Sequence, residues 1–237
     1  MFRFVRGPQD ISDHAATPEE VRDRATSSLG DQFFQHRGRL IHKWVDYLDL
    51  YDRYFAPWRN TDLVFLEIGV SEGGSLEMWR KYFGPRATIC GLDIDRACAS
   101  RVDPPNLVRI GSQDDPAFLR AVIEEIGQPH IILDDGSHIG RHQRASFDVL
   151  WPTLRSGGIY AIEDLHTAYW RDWEGGYRKK GSAIELVKDL IDAQHAWWHD
   201  RGGVAPAAEI GGIHQHESIV FIEKIAKARP AHVKVSG

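Results

Sequence analysis

Six acidic residues, at four places in the sequence, fall where a carboxylate can do chemistry. Asp134-Asp135 follows the apolar run 130–133, and Glu163-Asp164 follows 159–162; Glu67 lies near the end of 63–68, and Asp93 closes 88–92. Each run reads as a strand, and in open parallel sheets the ligand site lies beyond the carboxyl ends of the strands. Runs 130–133 and 159–162 are expected as neighbours about 4.8 Å apart, which crowds Asp135, Glu163 and Asp164. Three carboxylates that close cannot all stay ionised without a compensating cation. A hard divalent ion with oxygen ligands, Mg²⁺ foremost, resolves the repulsion and leaves coordination positions for water or substrate. The alternative is that these acids cap helices or pair with Arg141, Arg144 or Arg171. His138, three residues past Asp135, is placed to take a proton from a substrate hydroxyl. His142 follows at i+4, a spacing that could also hold zinc. His166, His214 and His216 read as surface residues.

The elements that must position these groups begin with residues 63–93. They read as a buried strand (63–68), a glycine-rich turn (69–74), a helix (75–83) and a second strand (88–92) closed by Asp93. This is the nucleotide half of a Rossmann-like fold. A dinucleotide site wants G-x-G-x-x-G, whereas here three non-glycines separate Gly69 from Gly73-Gly74, and Glu67 and Glu72 flank the turn. Carboxylates repel a pyrophosphate but attract a sulfonium and an ammonium group. The pattern E-x-G-x-x-x-G thus resembles motif I of the class I S-adenosylmethionine-dependent methyltransferases. That resemblance implies that Gly69 and Gly73 let the backbone approach the methionine part of the cofactor and that Asp93 accepts the ribose hydroxyls.

Upstream, residues 1–14 read as an irregular arm. Thr17-Pro18-Glu19-Glu20 has a capping-box layout, so a helix is expected from there to about Gly30. A second helix is expected over 39–55, with Leu40, Trp44, Leu48 and Tyr51 at helical spacing as packing residues. The polar stretch 32–37 between them could fold over the cofactor unit. Downstream come a strand at 107–110, a helix capped by Asp115-Pro116 and ending at Gly127, a helix at 139–154, and a helix at 182–198. Residues 165–181 form a long aromatic loop, too polar for core, and 218–222 an edge strand. The fold class is α/β: a mostly parallel sheet with a terminal antiparallel strand, helices on both faces and a small N-terminal helical segment. Residues 1–60 are expected as a helical lid and 61–237 as the catalytic domain.

A length of 237 residues supports one α/β domain with a sizeable core. The formal charge of −5 gives no electrostatic case for nucleic acid. No apolar run approaches the roughly 20 residues of a membrane span. Cys90 and Cys98 read as buried thiols rather than a disulfide, and with no signal-peptide pattern the chain is expected in the cytoplasm. Exposed apolar residues around Trp197 suit a homo-oligomer.

The stretch LDDGSHIGRHQRASFDVLWPTLRSGGIYAIEDLHTAYW, with FLEIGV upstream, resembles the bacterial metal-dependent sugar O-methyltransferases of macrolide biosynthesis over about residues 63–170. The resemblance implies Mg²⁺ ligands at Asp135, Glu163 and Asp164 and a general base at His138. Its cofactor contacts fall on Glu67, Gly69, Asp93, Ser112 and Gln113, with Asp134 nearby. The implied activity is methyl transfer from S-adenosylmethionine to a hydroxyl of a sugar-like small molecule. Where those relatives carry a G-T-D-K-type loop, this chain has Leu29-Gly30-Asp31-Gln32. A cephalosporin-hydroxylase-like branch shares the sheet and the acidic motifs. A nicotinamide-dependent oxidoreductase or epimerase, disfavoured by the glycine spacing, and a non-catalytic relative are the other readings.

Overall fold

The computed structural model describes residues 16–200 and 209–236. The expected N-terminal arm (1–14) and the start of the glycine-rich break after Trp198 lie outside them. Seven strands form one sheet: β1 (Val64–Ile68), β2 (Thr88–Asp93), β3 (Leu107–Ile110), β4 (Ile131–Asp134), β5 (Ile159–Ile162), β6 (Ile210–Gln215) and β7 (Val220–Lys224). Their order is β3-β2-β1-β4-β5-β7-β6. The first five are mutually parallel, while β7 runs antiparallel to both β5 and β6. The terminal antiparallel strand is therefore not an edge: β7 is inserted between β5 and β6. The hairpin partner β6 carries Gly211-Gly212 and an irregular register at Ile210/Gly212, which hid it from periodicity.

The order of strands reverses between β1 and β4, the crevice where ligands bind in such sheets. Strand residues alternate between two cores. Phe65, Ile131, Ile159 and Phe221 pack on one face with Leu48, Tyr51, Phe55, Trp79 and Phe83, from helices α3 (Val45–Phe55) and α4 (Gly74–Phe83). Leu66, Ile132, Tyr160 and Ile222 pack on the other with α5 (Pro116–Ile126), α6 (Gly140–Leu150) and α7 (Ala183–Gln194). Asp115 caps α5 as expected, its Oδ1 accepting from Ala117 N at 2.9 Å.

The N-terminal segment departs from its sequence reading. The single helix expected to end near Gly30 is broken into one turn, Pro18–Val21, a 3₁₀ turn, Arg22–Arg24, and a helix, Ser28–Phe34, capped by Ser27. Gly30 is inside that last helix, and Gln32 belongs to it rather than to a loop. Gln32 donates to Met78 O at 2.7 Å and the His36 ring lies 3.5 Å from Glu77, so this stretch packs on α4 instead of covering the cleft. The helix expected from Arg39 starts only at Val45; residues 39–44 form no regular element and bring Lys43 and Trp44 to the acids at the strand ends. Asp46 in the first turn of α3 favours a start there, while Lys43 and Trp44 are drawn out by the acids described below.

The loop after β5 also differs from expectation. It folds into two 3₁₀ turns, Leu165–Tyr169 and Arg171–Trp173, and buries Leu165, Thr167 and Ala168. Both thiols are free and buried, as expected. No helix among the described residues is long and apolar enough to cross a membrane.

Candidate active site

The site is assembled where β1, β4 and β5 end. Ile68 pairs with Asp134, and Asp134 with Ile162, which sets Gly69, Asp135 and Glu163 side by side as the next residues. Asp135 N donates to Ile68 O at 2.9 Å and Glu163 N to Asp134 O at 3.0 Å, so the acidic pairs are held by extensions of the ladder itself.

Gly69 closes this junction. It has φ +94°, and a Cβ there would stand 2.1 Å from Asp135 O. Left-handed backbone and a carbonyl in the side-chain position both demand glycine. Gly69→Ala is expected to cost about 2–3 kcal/mol by urea unfolding and to weaken cofactor binding, since the clash displaces Asp135. Gly73, at φ +86°, meets the same requirement against Arg101 O.

The cation beside the acids is one that sequence reasoning missed. Lys43 Nζ, almost wholly buried, lies 2.8 Å from Glu163 Oε1, 3.6 Å from Glu67 Oε1, and in a short contact with Asp135 Oδ2. Burial works against its charge, but Asp135, Glu163 and Glu67 outweigh burial and hold its pKa well above the ordinary value. Burial pushes the Glu67 carboxyl up to about 7, with Lys43 opposing. Burial and then Asp135 likewise drive Glu163 upward. Two of the three arginines considered as partners are engaged elsewhere, Arg141 with Glu174 and Arg144 with Asp189.

Asp164 faces outward from this knot. Its Oδ1 accepts from Trp44 Nε1 at 2.9 Å and Tyr47 OH at 3.1 Å, and its Oδ2 lies 3.6 Å from His138 Nε2. His138 Nε2 is also 3.9 Å from Asp135 Oδ1, while its buried Nδ1 has no partner. Asp164 and His138 both take left-handed backbone, at φ 54° and 56°, a conformation uncommon outside glycine that clusters at functional sites. Thr167 Oγ1 donates to the carbonyls of both residues and secures them.

Asp135, His138 and Asp164 each present a ligand atom within 4.8 Å of the others. The two carboxylates suit a hard divalent cation, and the imidazole presents Nε2 beside them. Glu163, the third carboxylate predicted for the ion, stands beside Asp135 but faces Lys43. His138 precedes α6 instead of lying on it, so the i+4 pairing with His142 does not form; His142 bonds Ser137 Oγ through Nδ1.

The residues predicted to hold a cofactor divide into two groups. Gly69 and Asp93, with Val70, Ser71, Glu72 and Ser75, line a cleft of about 290 Å³ that also reaches Asp135, His138 and Asp164. Burial would raise the Asp93 pKa, but the backbone N–H groups of Asp95, Val70 and Ser71 overcome it and hold it low. The second group lies beneath the surface. Glu67 accepts from Ser75 Oγ at 2.8 Å and Trp79 Nε1 at 3.3 Å. Buried Asp134 accepts from Ser146 Oγ at 2.8 Å and Gln113 Nε2 at 3.2 Å, while Gln113 Oε1 accepts from Ser137 N. Ser112 bonds Asp114. His166, His214 and His216, read as surface, are partly buried: His166 bonds Ser218, and Tyr54 lies against the other two.

With this geometry in view, comparison with known proteins is decisive. No protein-family model matches the chain. The mycinamicin VI 2''-O-methyltransferase of Micromonospora griseorubida is 38% identical over 214 residues, 84% of this chain and 52% of that protein. The L-olivosyl-oleandolide 3-O-methyltransferase of Streptomyces antibioticus is 40% identical over 186 residues, 71% of this chain and 47% of that one. The MycE methyltransferase of the mycinamycin pathway, solved with Mg, SAH and mycinamycin VI, superposes with TM-score 0.72 at 36% identity, covering 84% of this chain and 53% of that chain. The chain is a relative of these sugar O-methyltransferases and has the class I methyltransferase fold. It spans about half the length of the curated relatives it matches. The O-methyltransferase from Bacillus cereus solved with SAH, at 14% identity and TM-score 0.51, shares the fold alone.

Proposed function

We propose that the chain transfers the methyl group of S-adenosylmethionine to a hydroxyl of a sugar carried by a natural product, with Mg²⁺ as the required ion. The observation that carries this reading is the convergence of Asp135, His138 and Asp164 within 4.8 Å at the end of a cleft that begins at the glycine turn. The glycine turn leaves open backbone for the methionine part of the cofactor, and Asp93 keeps an ionised carboxylate for the ribose. Asp135 and Asp164, with Glu163 adjacent, would hold the cation, which when bound acts as a Lewis acid on the acceptor hydroxyl. His138 Nε2 takes the hydroxyl proton, and the oxygen attacks the methyl carbon from the side opposite sulfur, so that the carbon–sulfur bond breaks and S-adenosylhomocysteine leaves. The rigid strand ends align donor and acceptor, which is the chain's largest contribution to rate.

The same reading places the protein in the cytoplasm. Trp198, 70% exposed, offers an apolar surface for self-association. The test is calorimetric titration with S-adenosylmethionine and S-adenosylhomocysteine, with and without Mg²⁺, and with NAD as control. Binding of the sulfur cofactors alone is expected; preference for NAD would overturn the assignment of the glycine turn.

A further inference from the structure

The two acids that face His138 are each held by one oxygen from the same short stretch of chain. On Asp135, Oδ2 accepts from Lys43 Nζ in a short contact, and Oδ1 lies 3.9 Å from His138 Nε2. On Asp164, Oδ1 accepts from Trp44 Nε1 at 2.9 Å and from Tyr47 OH at 3.1 Å, and Oδ2 lies 3.6 Å from the same imidazole nitrogen. Adjacent residues, Lys43 and Trp44, thus take one oxygen from each acid. The other oxygen of each is left for the place where Asp135, His138 and Asp164 come within 4.8 Å of one another.

The direction of the Asp164 carboxylate is set by very few groups. Its backbone is fixed in the left-handed region at φ 54°, with its carbonyl accepting from Thr167 Oγ1 at 2.7 Å. The carboxylate can therefore turn only about its own side-chain bonds, and its donors decide where it points. Tyr47 shares its one proton with a second acceptor, Ser218 O at 3.0 Å. The indole N–H of Trp44 is given to Asp164 Oδ1. That indole is held in turn, edge-on to His166 at 5.5 Å between ring centroids, while His166 Nδ1 contacts the Ser218 hydroxyl. The donor is oriented before any ion arrives.

Divalent ions differ in what they require of such an acid. Mg²⁺ takes an octahedron at about 2.0–2.1 Å, keeps several waters and is bound through one or two carboxylates. Ca²⁺ takes more oxygens at about 2.3–2.6 Å, and a carboxylate often gives it both. An acid with one oxygen bound to an indole suits the first ion and resists the second. Chelation through both oxygens would swing Oδ1 off Trp44 and lose a charge-assisted hydrogen bond. We propose that Trp44 is a selectivity-determining residue of the cation site: it holds Asp164 to one oxygen and so favours Mg²⁺ over Ca²⁺. Lys43 restrains Asp135 in the same sense. This inference rests on the Mg²⁺-dependent reading above and concerns which ion is chosen, not whether one binds.

Protein carrying S-adenosylhomocysteine is titrated with Mn²⁺, followed by electron paramagnetic resonance, and the bound Mn²⁺ is then displaced by Mg²⁺ or by Ca²⁺. The parent is expected to release Mn²⁺ at lower Mg²⁺ than Ca²⁺. Trp44→Phe keeps an aromatic ring and removes the N–H. It should move the ratio of Ca²⁺ to Mg²⁺ affinity toward Ca²⁺ by roughly tenfold, the effect of losing a hydrogen bond to a charged group. Tyr47→Phe should move it the same way by a smaller factor, and it supplies a second reading if the urea midpoint of Trp44→Phe shows a weakened fold. A loosened site weakens both ions together and leaves the ratio where it was, so the ratio separates selectivity from packing. An unchanged ratio in both variants, a shift toward Mg²⁺, or a parent that prefers Ca²⁺ would each overturn the proposal. A parent that binds none of the three ions would instead overturn the Mg²⁺-dependent reading, and this inference with it.

Discussion

His138→Ala is expected to lower kcat by about 10²–10⁴-fold, the range for losing a positioned general base, while the affinity for S-adenosylhomocysteine changes by less than about twofold. The imidazole lies 3.6 Å from Asp164, whereas Asp93 is held by the backbone N–H groups of Val70, Ser71 and Asp95, so removing the ring leaves that side of the cleft in place. Titration with Mn²⁺ as a spectroscopic substitute separates two roles for the ring. If His138 acts on the acceptor proton, the variant binds Mn²⁺ as the parent does and loses turnover alone. A parallel loss of Mn²⁺ affinity would make it a ligand and pass the proton to another group. Equal loss of cofactor affinity would mean that the left-handed segment around His138 had collapsed, and the assigned role would fall.

Lys43→Met is expected to destabilise the fold by about 3–5 kcal/mol, the cost of leaving buried carboxylates without their partner. Glu67 and Glu163 are both buried, and Lys43 is the cation between them. The loss should appear as a lower midpoint in urea at unchanged m-value. Adding Glu163→Gln should recover part of it, giving a coupling energy in the double-mutant cycle; strict additivity would show that Lys43 acts by packing alone. The sign with pH follows from the same groups. A lysine whose pKa is raised well above 10.5 contributes fully across neutral pH and loses its contribution only in strong alkali. Glu67 has the same sign over a lower window: its carboxyl ionises near 4.5 when unfolded but near 7 when buried. The folded state then holds the extra proton, and stability falls as pH rises from about 4.5 to about 7.

Most of the sheet and the acidic cluster were legible in the sequence because both obey local rules. Apolar runs of four to six residues ending in acids mark parallel strands, and strand neighbours share a ligand crevice. That logic brought Asp135, Glu163 and Asp164 together from positions far apart in the chain. What it could not supply was the partner from elsewhere. Trp44 was absorbed into a helical period with Leu48 and Tyr51, and Lys43 had no place in that pattern. In the fold the helix is given up over residues 39–44, because a buried carboxylate cluster gains more from an ammonium and an indole N–H than the chain gains from one more helical turn. The one legible hint was a lysine set among Leu40, Ile41, Trp44 and Val45. Glu67, Gln113 and Asp134 show the converse limit: sequence position near the strand ends does not say whether a side chain points into the cleft or down into the polar network below it.

The irregular stretch at residues 39–44 also has a meaning in time. Lys43 meets partners 92 and 120 residues away, Trp44 one 120 residues away, and Tyr47 reaches the carbonyl of Ser218, 171 residues on. Contacts of such separation carry a loop-closure cost that must be met before they are rewarded, and they form late. During synthesis this stretch emerges well before its partners and must wait, with a lysine and a tryptophan unpaired, until Asp135, Glu163 and Asp164 have followed. The site is therefore completed only once β4 and β5 have joined the sheet, and a nascent sheet that has paired only β1 with β2 still lacks the acids that Lys43 and Trp44 meet.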